Sequence, residues 1–504
     1  MQADTTPRHV IVLGLGDSGL AMAAWCARLG HTVTVLDTRD QPPRLADLQT
    51  RVPQAHFRAG PFAASALDDG PVHAVFKSPG LSPAQVQPLW QAARERGLWC
   101  GTELSLFAQA LQRLQNEKAY RPWVLAITGT NGKTTVTSLT AALLRRAGVD
   151  VAMAGNIGPT LLDTLAQRLD LGLPQAWVLE LSSFQLHEAV GFEPTAATVL
   201  NITQDHLDWH GDMAAYSAAK GHVFGAQSLR VLRRDDPLVA SWMVAAAPPG
   251  RRAEAQAAPL PECLTFGPDV PQRPGDYGLE AVNGMTWLVR ALPADETLKR
   301  KKGEEEEIFL QRLMPADALR IRGRHNALNA LAALALAAST GQSLAPMLYG
   351  LREYAGEPHR VESVAIVDDV EYFDDSKGTN VGATMAAIQG LGAERRVWVI
   401  LGGEGKGQDF APLVEPVRRH VSGVALIGRD AHLLSEVLSG TGVAMATCAD
   451  LPSAVAWCRD HAQAGDAVLL SPACASFDMF EHYAHRAEVF VQAVRDIATA
   501  KGVA

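Results

Sequence analysis

The chain has 504 residues, 47% hydrophobic, 20% charged and 6% aromatic. At about 150 residues per domain this is room for roughly three domains, and the balance excludes general disorder and collagen-like repeats. Asp and Glu outnumber Lys and Arg by 54 to 45, a net charge of −9, which speaks against a duplex nucleic-acid binder, since that function needs a basic face.

The first segment alternates strand and helix signals. Residues 9–13 and 32–36 are short apolar runs, and residues 19–29 between them have helical spacing and end at Gly30. Residues 72–76 form a third strand signal, closed by Ser78-Pro79-Gly80. Such alternation implies a parallel sheet. The chain turns polar over residues 112–121 and meets Pro122, where a linker is expected. Residues 123–127 read as a strand, 136–147 as a helix, and 177–181 and 197–200 as further buried strands. The pattern loosens over residues 267–315, and the KRKKGEEEE run at 299–307 reads as a solvated loop or insertion. A helix follows His325, and Gly356-Glu357-Pro358 marks a second boundary. Strands at 397–401, 424–427 and 467–470 follow. The six cysteines form no C-x-x-C pair, so no zinc ribbon or disulfide framework is implied. No stretch of about 18 apolar residues occurs, and the chain reads as a cytoplasmic protein.

Two loops carry chemistry. Gly129-Thr130-Asn131-Gly132-Lys133-Thr134-Thr135 lies between a strand and a helix. Its glycines let backbone N–H groups turn toward phosphate oxygens, and the helix N-terminus adds a favourable dipole. Lys133 is placed to reach the β- and γ-phosphates and Thr134 to reach Mg²⁺. The usual glycine five residues before the Gly-Lys pair is replaced by Ile127, so this is a shortened phosphate loop. The second loop, Gly14-Leu15-Gly16-Asp17-Ser18-Gly19, also follows a strand and opens a helix, with Asp37 ending the next strand. This is the dinucleotide fingerprint, and it keeps an NAD-dependent oxidoreductase in play. The same turn suits any diphosphate at a helix N-terminus, including that of a UDP-sugar.

Taken together, the motifs resemble the Mur ligases of bacterial cell-wall synthesis over nearly the whole chain. The resemblance rests on the loop Gly129 to Thr135, on Gly155-Asn156-Ile157-Gly158, and on Glu180-Leu181-Ser182-Ser183-Phe184-Gln185-Leu186. It rests equally on Asn201-Ile202-Thr203-Gln204-Asp205-His206-Leu207-Asp208 and Gly323-Arg324-His325-Asn326-Ala327-Leu328-Asn329. Three further motifs look like the branch that adds D-glutamate: His359-Arg360-Val361-Glu362, Asp374-Asp375-Ser376-Lys377-Gly378-Thr379-Asn380 and Ser471-Pro472-Ala473-Cys474-Ala475-Ser476.

The resemblance implies an α/β protein of three domains. These are a Rossmann-like UDP-substrate domain over 1–120, a central P-loop ATPase-like domain over 121–355 with an insertion at about 268–315, and a Rossmann-like C-terminal domain over 356–504 that closes on the nucleotide and amino acid. It implies an ATP-dependent ligase, without NAD, that joins D-glutamate to UDP-N-acetylmuramoyl-L-alanine through an acyl phosphate. Two anions must meet in that step, so cations are needed between them. Lys133 is one. By resemblance Thr134 and Glu180 hold one magnesium, and His206 with Lys220, carbamylated in the family, holds a second. Lys377 completes the implied catalytic set. Asn326 and Asn329 sit near adenine, Arg360 spans the phosphates and Asp375 accepts from the ribose. Gly16, Asp17, Ser18, Asp37, Thr38, Arg39, Ser78, Gly80 and Asn156 are implied for the UDP substrate. Thr379, Lys406 and Ser476 are implied for D-glutamate, with Phe477 and Tyr483 standing where leucine and phenylalanine are usual. The implied protein is a monomer with no nucleic-acid or membrane partner.

Overall fold

The computed structural model describes residues 8–243, 263–294, 307–393 and 395–502. Three sheets follow one another along the chain. The first is wholly parallel, built from β1 (His9–Leu13), β2 (Thr32–Asp37), β3 (His56–Ala59), β4 (Val72–Lys77) and β5 (Trp99–Thr102) in the order β3-β2-β1-β4-β5. The order reverses between β1 and β4, so the loops leaving these two strands open a crevice at the strand ends, where ligands bind in such sheets. Those loops are the glycine turn after Leu13 and Ser78-Pro79-Gly80.

The central sheet has nine strands. They are β6 (Trp123–Thr128), β7 (Val151–Gly155), β8 (Ala176–Glu180), β9 (Ala196–Val199), β10 (Leu229–Arg233), β11 (Cys263–Phe266), β12 (Tyr277–Val282), β13 (Met285–Pro293) and β14 (Ile308–Pro315). Their order is β14-β13-β12-β11-β10-β9-β6-β8-β7. Most of the described residues in the region expected to be a loose insertion thus form an antiparallel ladder, β12 on β13 on β14, that extends this sheet. The signal was missed because these strands are half-solvated and carry polar residues such as Glu280, Arg290 and Arg312 on alternate positions. The charged run 299–307 lies outside the described residues except for Glu307. The polar stretch before Pro122 is also not the linker expected from 112: the helix Glu103–Lys118 runs through it, and Ala119 ends that helix in the left-handed region at φ 53°.

The third sheet joins β15 (Glu362–Val367), β16 (Val370–Asp374), β17 (Val397–Gly402), β18 (Val421–Ile427), β19 (Ala444–Thr447) and β20 (Ala467–Leu470) in the order β15-β16-β20-β17-β18-β19. β16, β20 and β17 are adjacent and parallel. Their exits, the loops starting at Asp375, Ser471 and Gly403, therefore share one edge.

The packing of the three units differs in kind. One continuous apolar core runs from Val10, Val12 and Trp25 in the first unit through Phe107 to Leu162, Leu165 and Trp177 in the central one. Phe107 meets Trp177 edge-on at 5.1 Å. The third unit has cores of its own, around Val399 and Leu469 and around Trp398 and Phe490. Burial of apolar area is the larger stabiliser, so the first two units are fused and the third is held mainly by polar contacts. Among the described residues no helix is long and apolar enough to cross a membrane.

Candidate active site

The phosphate loop leaves β6 between β8 and β9 and opens the helix Lys133–Arg146 at Gly132, whose φ is 83°. A Cβ at Gly132 would lie 2.7 Å from Asn329 Oδ1, so glycine is required here and Asn329 is set against the loop. Asn326 Oδ1 accepts from Asn329 Nδ2 at 3.0 Å, which joins the two asparagines expected near adenine. They sit on the first turns of Arg324–Ala338, a helix buried on nearly all sides against Lys133–Arg146. The loop is braced from β9: Asn131 N donates to Asn201 Oδ1, Asn201 Nδ2 donates back to Asn131 O, and Thr130 meets Thr203 O and Tyr216 Oη at 3.1 Å.

Four titratable groups converge beside this loop. Lys133 Nζ donates to the carbonyls of Gly129 and Thr130, at 2.9 and 2.8 Å. Desolvation lowers its pKa, opposed by Glu180 and Asp205. Glu180 ends β8; its Oε1 accepts from Asn156 Nδ2 at 2.7 Å, while Oε2 is buried with no hydrogen-bond partner. Lys220 is fully buried, over the Tyr216 ring at 4.7 Å, and donates to Gly129 O at 2.8 Å. Burial pushes its pKa well below the ordinary lysine value, and Lys133 pushes it further. Its amine is therefore held toward the neutral form, which is the form that adds carbon dioxide. His206 adopts φ 53° and packs on Phe184 at 4.7 Å; burial lowers its pKa against the pull of Asp205, so its ring is neutral and able to bind a metal. An orphaned buried carboxylate oxygen, a threonine hydroxyl, a neutral imidazole and a buried amine make a donor set that fits magnesium once the amine is carbamylated. Among the described residues one cluster of three ligand-type side chains is His359, Glu362 and Asp374; there His359 Nδ1 meets Asp374 Oδ2, and Glu362 accepts from the His359 backbone N–H.

The third unit reaches this loop directly. Arg360 Nη2 donates to Thr134 Oγ1 at 2.6 Å. Asn131 and Asn380 exchange side-chain amide bonds at 3.2 and 3.0 Å. Arg360 is flanked by His359 at φ 63° and Val361 at φ 50°. A β-branched residue at positive φ is a genuine outlier, of the kind that persists where surrounding contacts over-determine it. Beside it, His359 Nδ1 meets the buried Asp374 Oδ2 at 2.6 Å. Asp375 is buried against Ser471 Oγ at 2.6 Å, and burial raises its pKa to about 7. Lys377 Nζ stands 3.7 Å from the centre of the Tyr483 ring, and Lys406 Nζ 5.8 Å from that of Phe477. Thr379 follows Lys377 on the same loop. Ser476 is buried while Phe477 is 66% exposed beside it.

A cleft of about 590 Å³ separates the first and central units. Asp17, Ser18 and Gly80 line one side and Asn156 the other. Gly16 caps the helix Asp17–Arg28 at the cleft's edge, and a Cβ at Gly19 would come within 1.9 Å of Gly14 O, which fixes that turn. Asp37, Thr38, Arg39 and Ser78 do not line the cleft. Asp37 already accepts four N–H bonds, from Leu15 N and from Arg39 N, Nε and Nη2, which fills a carboxylate's capacity. Burial would raise its pKa, but these donors hold it at about 2. It braces the glycine turn and holds the Arg39 side chain beside it.

Sequence reasoning missed three contributors. Arg44 and Arg51 line the cleft, and Arg44 Nε pairs with Asp17 Oδ1 at 2.6 Å. Arg486 is fully buried and donates to Ser376 Oγ, Ser376 O and Cys474 O, tying together the loops that carry Lys377 and Ser476. An arginine in the apolar seam of a helix, beside Ala487, Phe490 and Val494, was the available signal.

A loop built for phosphate after β6, met by an arginine from a separately packed unit, has the features of a nucleotide-dependent enzyme. Comparison with known proteins sharpens this. Three family models match: "Mur ligase MurD-like, N-terminal domain" over residues 8–100, "Mur ligase middle domain" over 127–254 and "Mur ligase, glutamate ligase domain" over 359–474. A UDP-N-acetylmuramoylalanine–D-glutamate ligase of Albidiferax ferrireducens is 63% identical, with 99% of this chain and 98% of that one covered. Its namesake in Burkholderia mallei is 56% identical, with 100% and 99% covered. Among solved structures, the MurF ligase of Thermotoga maritima in complex with ADP is similar in fold, with a TM-score of 0.57 at 16% identity, covering 98% of this chain and all of that one. The chain belongs to the Mur ligase family.

Proposed function

We propose that this chain joins D-glutamate to UDP-N-acetylmuramoyl-L-alanine with conversion of ATP to ADP and phosphate, a step of peptidoglycan precursor synthesis. The observation that carries the reading is the bond from Arg360 to Thr134, which brings the unit bearing the glutamate-type motifs onto the phosphate loop. The names of full-length relatives at 52–63% identity support the choice of amino acid.

A substrate carboxylate oxygen attacks the γ-phosphorus of ATP and ADP leaves, giving an acyl phosphate. The free amine of D-glutamate then attacks the acyl carbon, and the tetrahedral intermediate collapses as phosphate leaves. Lys133 and Arg360 offset the charge of the transferred phosphoryl group from two sides. Asn326 and Asn329 position the base. Lys377, Thr379, Lys406 and Ser476 receive the two carboxylates of glutamate. The cleft beside Ser18, Gly80 and Asn156 takes the UDP-sugar, its diphosphate at the start of the helix Asp17–Arg28. Thr134 and Glu180 would hold one Mg²⁺, and His206 with carbamylated Lys220 a second. When bound, these ions supply positive charge where carboxylate and γ-phosphate meet. Closure of the third unit excludes water from the acyl phosphate. We expect a monomer working in the cytoplasm.

Phosphate release from Mg-ATP tests the reading. With UDP-N-acetylmuramoyl-L-alanine present, release should require D-glutamate and fail with L-glutamate, L-lysine or no amino acid. Release with L-lysine in place of D-glutamate would refute the amino-acid assignment.

A further inference from the structure

The joint between the first and central units contains a polar hub that the chemistry above does not use. Glu188 follows the short helix Ser183–Leu186 of the central unit and takes φ 63°. Its carboxylate accepts from three side chains of the first unit. Lys77 Nζ lies 2.8 Å from Oε2, while Arg94 Nη2 and Trp90 Nε1 lie 3.0 and 3.1 Å from Oε1. Lys77 is 1% exposed, and its ammonium also faces the Trp90 and Trp209 rings at 5.4 and 5.9 Å. Burial of an ion on this scale is tolerated only with a partner, and Glu188 is that partner.

The position of the hub matters more than its strength. Lys77 ends β4, and Ser78 leads straight into Pro79 and Gly80, which line the cleft. Ser78 Oγ bonds Gly14 O at 2.9 Å, so the glycine turn hangs from the same point. On the other side, Ser182, Phe184 and Gln185 line the cleft within six residues of Glu188. Both walls of the cleft are thus attached beside one ion pair. Trp209 continues the chain of contacts: it packs on His187 at 5.1 Å and on Phe184 at 4.9 Å, and Phe184 packs on His206. The left-handed backbone at Glu188 is what turns its side chain off the short helix and across the joint.

We propose that Glu188 is a positioning residue: by gathering Lys77, Arg94 and Trp90 it fixes the spacing of the two walls that hold the UDP-sugar. It acts on substrate affinity and takes no part in bond making. The substrate named here rests on the function proposed above.

The test uses the full chain with Glu188→Gln, Lys77→Met and the two combined. Glu188→Gln should raise KM for UDP-N-acetylmuramoyl-L-alanine about tenfold, the effect of losing one charge-assisted hydrogen bond, with kcat and the KM for ATP near wild type. The double variant should be no worse than Glu188→Gln, because the two side chains act as one unit. An unchanged KM, an equal rise in the KM for ATP, or effects that simply multiply would overturn the proposal. Hydrogen exchange separates it from the substrate assignment. Even if the wild type turned over no UDP-sugar, Glu188→Gln should speed exchange in both 78–81 and 182–186. Unchanged exchange in those segments would sink the proposal whatever the substrate.

Discussion

Glu103 offers a prediction whose size comes directly from its setting. It begins the helix Glu103–Lys118, is 2% exposed, and its Oε1 accepts from Leu162 N at 3.0 Å across the joint to the central unit. Its Oε2 is buried without a partner. Burial raises its pKa from 4.5 to about 7. A raised folded-state value means that the neutral carboxyl is favoured in the folded protein. Its contribution is fully present below about pH 4.5, is lost progressively as pH rises toward 7, and is gone above it. At about 1.4 kcal/mol per pH unit the full loss is about 3 kcal/mol, of which about 2 falls between pH 5.5 and 8.5. Glu103→Gln keeps the shape and the acceptor for Leu162 but cannot ionise. The assay is exchange of the Leu162 amide, corrected for intrinsic rate, in both proteins at the two pH values. The opening free energy of the variant should gain about 2 kcal/mol on the wild type between pH 5.5 and 8.5. A difference between the proteins that does not change with pH would refute the argument that burial governs this carboxyl.

Other perturbations address the active site. Arg360→Lys keeps the charge but loses the planar fork, and should raise the KM for ATP and lower kcat, each about tenfold; wild-type kinetics would contradict its place on the phosphates. Lys220→Met should reduce kcat by at least about 100-fold, as expected for a lost metal ligand, while leaving Tm unchanged or higher, since a buried amine gives way to an apolar chain. A fall in Tm to match would instead indicate a structural role. Asn380→Ala removes the amide pair with Asn131 and should populate an open third unit, seen as a larger radius of gyration in X-ray scattering with ATP present; an unchanged radius would show that this pair does not hold the closed form.

The sequence was most legible where backbone and chemistry coincide. The loop Gly129 to Thr135 needs a strand before it and glycines and a helix start within seven residues, so its letters imply its geometry, and the structure follows them. The apolar runs 397–401 and 467–470 and the motif Asp374 to Asn380 were each visible locally. That their exits meet on one edge follows from the strand order β16-β20-β17, which no local pattern encodes. The same limit explains the region 267–315: strands with one wet face alternate weakly, and their pairing with each other is a long-range fact. Asp37 shows another limit. Its place at the end of the second strand is legible, but not that it braces the glycine turn with four donors, three of them supplied by Arg39 two residues on. Glu188 and Lys77 are 111 residues apart and carry no local signature; only the fold makes them a pair.

The account's central claim is that a substrate carboxylate is phosphorylated before the amine attacks. UDP-N-acetylmuramoyl-L-alanine carrying ¹⁸O in its free carboxylate, turned over with Mg-ATP and D-glutamate, tests this directly by mass spectrometry of the released phosphate. The acyl-phosphate route predicts one ¹⁸O in each phosphate formed from fully labelled substrate. Phosphate without ¹⁸O, formed together with the amide product, would contradict it.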